Sequence, residues 1–115
     1  MTKPEDKLAE LGIVLPTPAK PVATYAPFVI TGDHLYVSGQ VSMNADGLVK
    51  GRLGETMDLA AGQAAAKLCA ISLMAQCNAA LGKLSRVRRV VKLTGFVNCT
   101  PDFTEIPQVI NGCSD

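Results

Sequence analysis

The longest apolar stretch of the chain limits most strongly what it can fold into. Residues 58–82 contain no proline and have the length and composition of one helix, about 35 to 40 Å long. Thr56 is the expected cap, Asp58 suits the positive end of the helix dipole, and Gly82 can take the left-handed conformation that ends a helix. The apolar side chains form two arcs, so the helix has to be covered on more than one side.

Polar side chains separate the two arcs and divide the apolar stretch. Lys67 and Gln76 interrupt it, so we expect the apolar stretch to fall well short of a membrane span. We expect a sheet to cover one arc and a second helix or subunit to cover the other.

Composition favours a single small domain over residues 1–115. The chain has 115 residues, 11 basic and 10 acidic side chains and a net charge of +1, so no strong overall field attracts nucleic acid or an anionic membrane. Five charged residues and no apolar run occur within residues 1–10, which excludes a secretory leader there. We therefore expect a cytoplasmic protein without a membrane or nucleic-acid partner.

Short strands and helices surround the long helix. Pro4–Leu11 predicts a short amphipathic helix, and the proline-rich segment 16–27 predicts an extended lead-in. Phe28–Thr31 and Leu35–Val41 predict a hairpin closed by Gly32 and Asp33, and Leu48–Lys50 a third strand of the same antiparallel meander.

The second half of the chain predicts one more strand and one more helix. Val87–Cys99 alternates between two faces, as a strand does. A helix is expected to begin near Thr104, with Pro107 in its first turn. It has no visible terminating signal before Asp115, so its end is expected to lie beyond that residue.

Candidate metal ligands and nucleophiles are few. Cys69, Cys77, Cys99 and Cys113 form no CxxC pair, and we interpret them as small apolar side chains of the core rather than as a zinc or disulfide site. His34, the single histidine, follows a turn and is expected to be solvated. The sequence therefore predicts no metal site.

Several segments together suggest a family. Residues 35–41 read LYVSGQV, an alanine-rich helix follows, and residues 90–98 read VVKLTGFVN before Pro101, Asp102 and Phe103. In this order the segments resemble the RidA (YjgF/YER057c/UK114) family, also named endoribonuclease L-PSP. Leu11, Gly12 and Ile13 with the proline-rich lead-in resemble its subgroup with a longer N-terminus. The resemblance covers residues 8–115.

The resemblance implies an α+β, chorismate-mutase-like fold with an antiparallel-rich sheet and helices packed on one face. It also implies a homotrimer with active sites in the clefts between subunits. Compared with the family, residues 1–115 lack the end of the second helix and the closing strands.

The implied activity is an enamine/imine deaminase, which hydrolyses reactive 2-iminoacids to 2-oxo acids and ammonia without a cofactor. Such a site needs a cation for the substrate carboxylate, a positioned water and an acidic group. The family's arginine and glutamate have no counterpart up to Asp115, so the catalytic residues are unknown. What carries over is a substrate-binding rim of Tyr25, Ser38 and Gly39, although the residues before Tyr25 depart from the family pattern, and the Ser38 hydroxyl could equally bind nearby backbone.

Two other functions are compatible with the sequence. A trimeric module that binds a small molecule without catalysis would not need the missing arginine. An endoribonuclease, as the old family name suggests, would use the basic cluster of Arg86, Arg88, Arg89 and Lys92, but alternation divides these residues between two strand faces. We expect a solvated strand entrance there instead.

Overall fold

A computed structural model describes residues 3–18 and 24–115. In these residues the helices are α1 (Pro4–Glu10), α2 (Leu59–Leu81) and α3 (Ile106–Ser114), with a 3-10 turn at Leu84–Arg86. The strands are β1 (Phe28–Thr31), β2 (His34–Val37), β3 (Met43–Asn44) and β4 (Gly47–Leu48). Residues 19–23 of the predicted extended lead-in lie outside the described residues. Residues 1–2, at the start of the segment without a predicted secretory leader, also lie outside them.

The chain forms two compact units, each assembled from two separate segments. Residues 1–40 and 71–90 make the first unit, and residues 41–70 and 91–115 make the second. Helix α2 therefore contributes its first half to the second unit and its second half to the first. The expectation of one domain over residues 1–115 stays a prediction.

Both ends of α2 are set by local hydrogen bonds. Asp58, rather than the predicted Thr56, caps its start, because Asp58 Oδ1 accepts the N–H of Ala61 at 2.8 Å. Thr56 Oγ1 instead accepts the N–H of Arg52 at 2.9 Å, which closes the turn before the helix. Gly82 has the predicted left-handed conformation, with φ of 82°.

In the second unit, α3 packs closely on α2. Leu53, Ala66 and Val109 form the buried core, and Gln63 Nε2 donates to the carbonyl of Gln108 at 2.9 Å. A Cβ at Gly112 would overlap the backbone of Gln63, so the two helices meet where only glycine fits. The predicted start of α3, with proline in its first turn, is confirmed.

The first unit joins a hairpin, the short helix α1 and the end of α2. Strands β1 and β2 are antiparallel, with Phe28 opposite Val37, and Gly32 has φ of 58°, as a primed hairpin turn requires. Glu5 Oε1 accepts the N–H of Ser85 at 3.0 Å, which attaches α1 to the 3-10 turn. Gln76, which lies between the two apolar arcs, is buried in this unit and is only 3% exposed.

The sheet differs from the predicted meander. β3 pairs with β4 in a separate two-stranded hairpin, and β2 ends at Val37 rather than Val41. Residues 87–98 contain no strand, and of the predicted strand Val87–Cys99 only the end is paired, where Cys99 bridges Leu53 and the carbonyl of Asn98 accepts the N–H of Leu53. Alternation predicts which residues share a face, but a strand also needs a partner for its backbone, and alternation does not supply one.

Helix α2 raises the question of a membrane again. By length and composition its 23 residues suffice to cross one, so the expectation that its apolar stretch falls short of a span was wrong by this test. Core helices of soluble proteins also meet the same criterion, and Ala66 and Ala75 of α2 are buried within the protein. Length and composition therefore do not decide the environment of this helix.

The contact at Gly112 generates a prediction about stability. Gly112→Ala should lower the free energy of unfolding by about 1 to 3 kcal/mol, because the added methyl forces α3 away from the backbone of α2. Asn111→Ala, at the exposed neighbouring position of the same helix, is the matched control and should change it by less than about 0.5 kcal/mol. Urea unfolding followed by circular dichroism measures both, and equal midpoints would contradict the close contact.

Candidate functional site

The three predicted rim residues lie together in the first unit. Ser38 and Gly39 follow β2 directly, and Tyr25 lies in the segment that leads into β1. The Tyr25 hydroxyl donates to the carbonyl of Gly39 at 3.5 Å, a long hydrogen bond across fourteen residues of sequence. Pairing of β1 with β2 therefore brings the predicted residues into one place, while their role in binding stays a prediction.

Ser38 is attached to the lead-in segment by both of its donors. Its hydroxyl donates to the carbonyl of Ala26 at 2.5 Å, and its N–H donates to the carbonyl of Pro27 at 2.9 Å. Since the hydroxyl proton is used on the protein's own backbone, the oxygen of Ser38 can offer a ligand only its lone pairs. The sequence left both roles of Ser38 open, and the structure shows the backbone contact.

Gly39 is exposed and leaves space beside Tyr25. Its φ is outside the left-handed region, so the backbone here does not itself require glycine. A Cβ at Gly39 would have the Tyr25 hydroxyl as its nearest neighbour, at 4.0 Å. The absence of a side chain therefore keeps this face of the turn open to an approaching molecule.

Gln40 was not among the predicted site residues, and the structure adds it. Its Nε2 donates to the carbonyl of Ser38 at 3.1 Å. No local sequence pattern identifies this contact, because the carbonyl that a flexible glutamine side chain reaches depends on the path of the backbone.

Two backbone donors of this turn have no protein acceptor within the described ranges 3–18 and 24–115. They are the N–H groups of Gly39 and Gln40. The N–H of Ser38, which precedes them, donates to the carbonyl of Pro27. Unpaired backbone N–H groups at an exposed turn can bind the oxygens of an anion. The turn at residues 38–40 thus offers an acceptor hydroxyl oxygen and two donor amides within three consecutive residues.

The other candidate residues lie elsewhere. His34 begins β2, whereas Ser38 follows its end, so the two are about 13 Å apart along the strand direction. The His34 ring packs edge-on to Tyr36, and both are exposed. Arg86 donates from Nη1 to the carbonyl of Leu81 at 2.9 Å and so stabilises the end of α2. Arg88, Arg89 and Lys92 are exposed.

Two clefts among the described residues lie in the second unit, and neither includes the rim. The first, of about 620 Å³, is open to solvent and is lined by Gly54, Glu55, Thr56, Met57, Asp58, Ala61 and Phe103. Its polar groups are engaged, since Asp58 caps α2 and Glu55 forms an ion pair of 3.0 Å with Arg52. The second, of about 270 Å³, is flanked by Gln63, Lys67 and Asn111. Neither cleft presents a group of chemically reactive side chains.

The cysteines are free and half-buried. Burial raises the pKa of the Cys69, Cys77 and Cys113 thiols, and the nearby Cys113 raises that of Cys69 further. A raised pKa disfavours the thiolate, which is the nucleophilic form. Among the described residues no three histidine, cysteine or acidic side chains are grouped as metal ligands.

Comparison with known proteins identifies the family. Residues 5–115 match the family described as "YjgF/chorismate mutase-like, putative endoribonuclease". The chain belongs to this family. The expected YjgF, chorismate-mutase-like α+β fold is confirmed by the family match and by the structural similarity of YjgF relatives.

Three relatives show how far the similarity extends. Protein TCP17 of Trypanosoma cruzi is 49% identical over 109 residues, which are 94% of this chain and 68% of that protein. A protein with unknown function from Agrobacterium tumefaciens, whose crystal structure is known, is 49% identical in sequence. Its structure matches with a TM-score of 0.87, over 96% of this chain and 68% of the Agrobacterium chain. A protein from Shewanella oneidensis whose crystal structure is named "putative endoribonuclease" is 32% identical in sequence. Its structure matches with a TM-score of 0.93, over 98% of this chain and 76% of the Shewanella chain.

The thiol environments predict slow reaction with disulfide reagents. Between pH 7 and 8, folded protein should react with Ellman's reagent at Cys69, Cys77 and Cys113 at least about tenfold more slowly than protein unfolded in urea, because a raised pKa leaves less thiolate and burial limits access. The rate should rise with pH through the raised pKa values. Peptide mapping after partial modification assigns each site, and equal rates in folded and unfolded protein would contradict the burial.

Proposed function

We propose that this YjgF-family chain is part of an enamine/imine deaminase and supplies the substrate-binding rim of the site. The observation that supports the proposal best is the turn at residues 38–40. There the N–H groups of Gly39 and Gln40, which have no protein acceptor within the described ranges, directly follow Ser38, whose oxygen can only accept. A 2-iminoacid has both matching groups, a carboxylate that accepts hydrogen bonds and a nitrogen that donates them.

The direction of each hydrogen bond favours this class of substrate. A protonated imine or an enamine carries an N–H, which can donate to the Ser38 oxygen because the hydroxyl proton is already directed to Ala26. The backbone amides provide donors for carboxylate oxygens, and hydrogen bonds to a charged acceptor are stronger than neutral ones. The open face at Gly39 gives the substrate room beside Tyr25.

The rim does not by itself supply the reaction. Hydrolysis of an imine adds water to the imine carbon and releases ammonia, and this needs a group that manages protons and a water held in place. Ser38 and Gly39 form no hydrogen bond with an ionisable side chain other than Tyr25 in the described part of the chain. We propose that a cation and a carboxylate beyond the 115 residues, together with a neighbouring subunit of a homotrimer, complete the site.

The same observation supports a second candidate function. A rim that binds a carboxylate and an N–H without an acid or base beside it would serve a small-molecule-binding module as well. The two functions differ in one measurable respect, since only a deaminase shortens the lifetime of the imine.

Substrate binding at the rim can be tested with a stable product of the proposed reaction. In the 15N-labelled chain, 2-oxobutanoate should shift the amide signals of Gly39 and Gln40. Gly39→Ala should weaken binding roughly threefold to tenfold, because its methyl occupies the space before the amide, whereas folding should be unaffected since φ is ordinary.

Ser42→Ala is the control for that titration. It removes a comparable hydrogen bond, from Ser42 Oγ to the carbonyl of Val49 at 2.8 Å in the second unit, and should leave the affinity unchanged. Shifts spread over the second unit with none at Gly39 would contradict binding at the rim.

Catalysis is tested by the decay of an iminoacid generated in place by an L-amino-acid oxidase and followed by semicarbazide trapping. The 115-residue chain should not exceed the buffer rate, because the rim provides binding groups alone. Protein isolated from its natural source should accelerate the decay if its intact mass clearly exceeds the 12.1 kDa of this sequence. A longer natural protein without any acceleration would favour the binding module over the deaminase.

A further inference from the structure

We infer that Gln40 is a positioning residue, which holds the Gly39 amide in the orientation that binds a ligand carboxylate. The amide nitrogen of its side chain lies 3.1 Å from the carbonyl oxygen of Ser38. Gln40 is half-buried, so part of its side chain is held against the protein while its amide group reaches back along the turn. The ligand in this inference rests on the proposed function, but the orientation of the amide does not.

The geometry of the peptide bond connects Gln40 to the ligand side of the turn. The carbonyl of Ser38 and the N–H of Gly39 belong to one planar unit, and in a trans peptide they point in opposite directions. A donor that fixes the carbonyl therefore also fixes the N–H on the other side. Gln40 holds the carbonyl edge of this unit, and the N–H of Gly39 points in the opposite direction.

The neighbouring contacts do not fix the orientation of the peptide between Ser38 and Gly39, whereas Gln40 does. The backbone N–H and the hydroxyl of Ser38 hold the residue itself against Pro27 and Ala26, but neither fixes the rotation of the peptide that follows. The Tyr25 hydroxyl contacts the next carbonyl, that of Gly39, and only at 3.5 Å. In the described part of the chain, Gln40 is the one side chain that donates to the carbonyl of Ser38.

The alternative is that Gln40 only stabilises the turn. In that case its loss would lower stability and leave both the direction of the Gly39 N–H bond and the affinity for a carboxylate as they were. The two readings therefore differ in quantities that do not depend on stability.

The variant Gln40→Met tests the inference, because methionine has a similar length and volume but no donor. The residual dipolar coupling of the Gly39 N–H bond, measured in the free 115-residue chain, should change, while the couplings of β1 and β2 stay the same. Affinity for 2-oxobutanoate should fall roughly threefold to tenfold, the effect of one misdirected hydrogen bond.

Gln63→Met is the matched control. The side chain of Gln63 also donates to a backbone carbonyl, that of Gln108, but in the second unit. This variant should leave the Gly39 coupling and the affinity unchanged. Gln40→Glu, which cannot donate when ionised, replaces Gln40→Met if that variant fails to fold.

The outcomes separate the inference from the proposed function. An unchanged Gly39 coupling in the Gln40 variant overturns the positioning role, whether or not 2-oxobutanoate binds. A changed coupling with no binding of 2-oxobutanoate to the unaltered chain supports the orientation by Gln40 and rejects the proposed substrate class. A changed coupling with an unchanged affinity overturns the positioning role as well, since the amide then does not contribute to binding.

Discussion

The requirement to cover one long apolar helix determines much of the rest of the structure. Helix α2 has 23 residues, and fully burying a large apolar side chain contributes on the order of 1.5 to 3 kcal/mol. Each unit covers its own part of this helix. In one unit Leu53 and Val109 pack on Ala66, and in the other Ala75 and Gln76 are buried. The glycine at the crossing with α3 follows from the same requirement, since the two backbones approach too closely for a Cβ.

The candidate site depends on a different feature, the hydrogen bonds that the turn already forms with the protein's own backbone. The Ser38 hydroxyl and N–H are directed inward to Ala26 and Pro27, and Gln40 and Tyr25 contact the carbonyls of the turn. Within residues 3–18 and 24–115, these bonds leave one oxygen that can accept and two amides that can donate to a ligand. The proposed ligand chemistry therefore follows from the donors and acceptors that the protein's own hydrogen bonds leave unused.

Membership of the YjgF family places this rim in a known fold without assigning its reaction. The relatives carry the names of a T. cruzi protein, a protein of unknown function and an endoribonuclease, and none of these names describes a deaminase. The exposed basic residues near the end of α2 do not add a strong argument for RNA, since Arg86 is engaged with the carbonyl of Leu81. The hydrogen bonds of the turn favour a small carboxylate with an N–H instead.

The sequence by itself determined the elements that depend on neighbours in the chain. The end of α2 at Gly82, the glycine at the hairpin turn, the proline in the first turn of α3 and the family all follow from local patterns, because caps, turns and motifs involve residues a few positions apart. It also brought attention to Tyr25, Ser38 and Gly39, but not to Gln40, whose role depends on the path of one carbonyl.

Tertiary structure alone decided the features that depend on distant partners. These include the burial of Gln76, the direction of the Ser38 proton, the separation of the two hairpins and the lack of a paired strand in residues 87–98. Alternation of side chains reports only the conformation of one segment. Whether a polar group is buried, or a backbone is paired, depends on which other segment lies against it, and no local pattern carries that information.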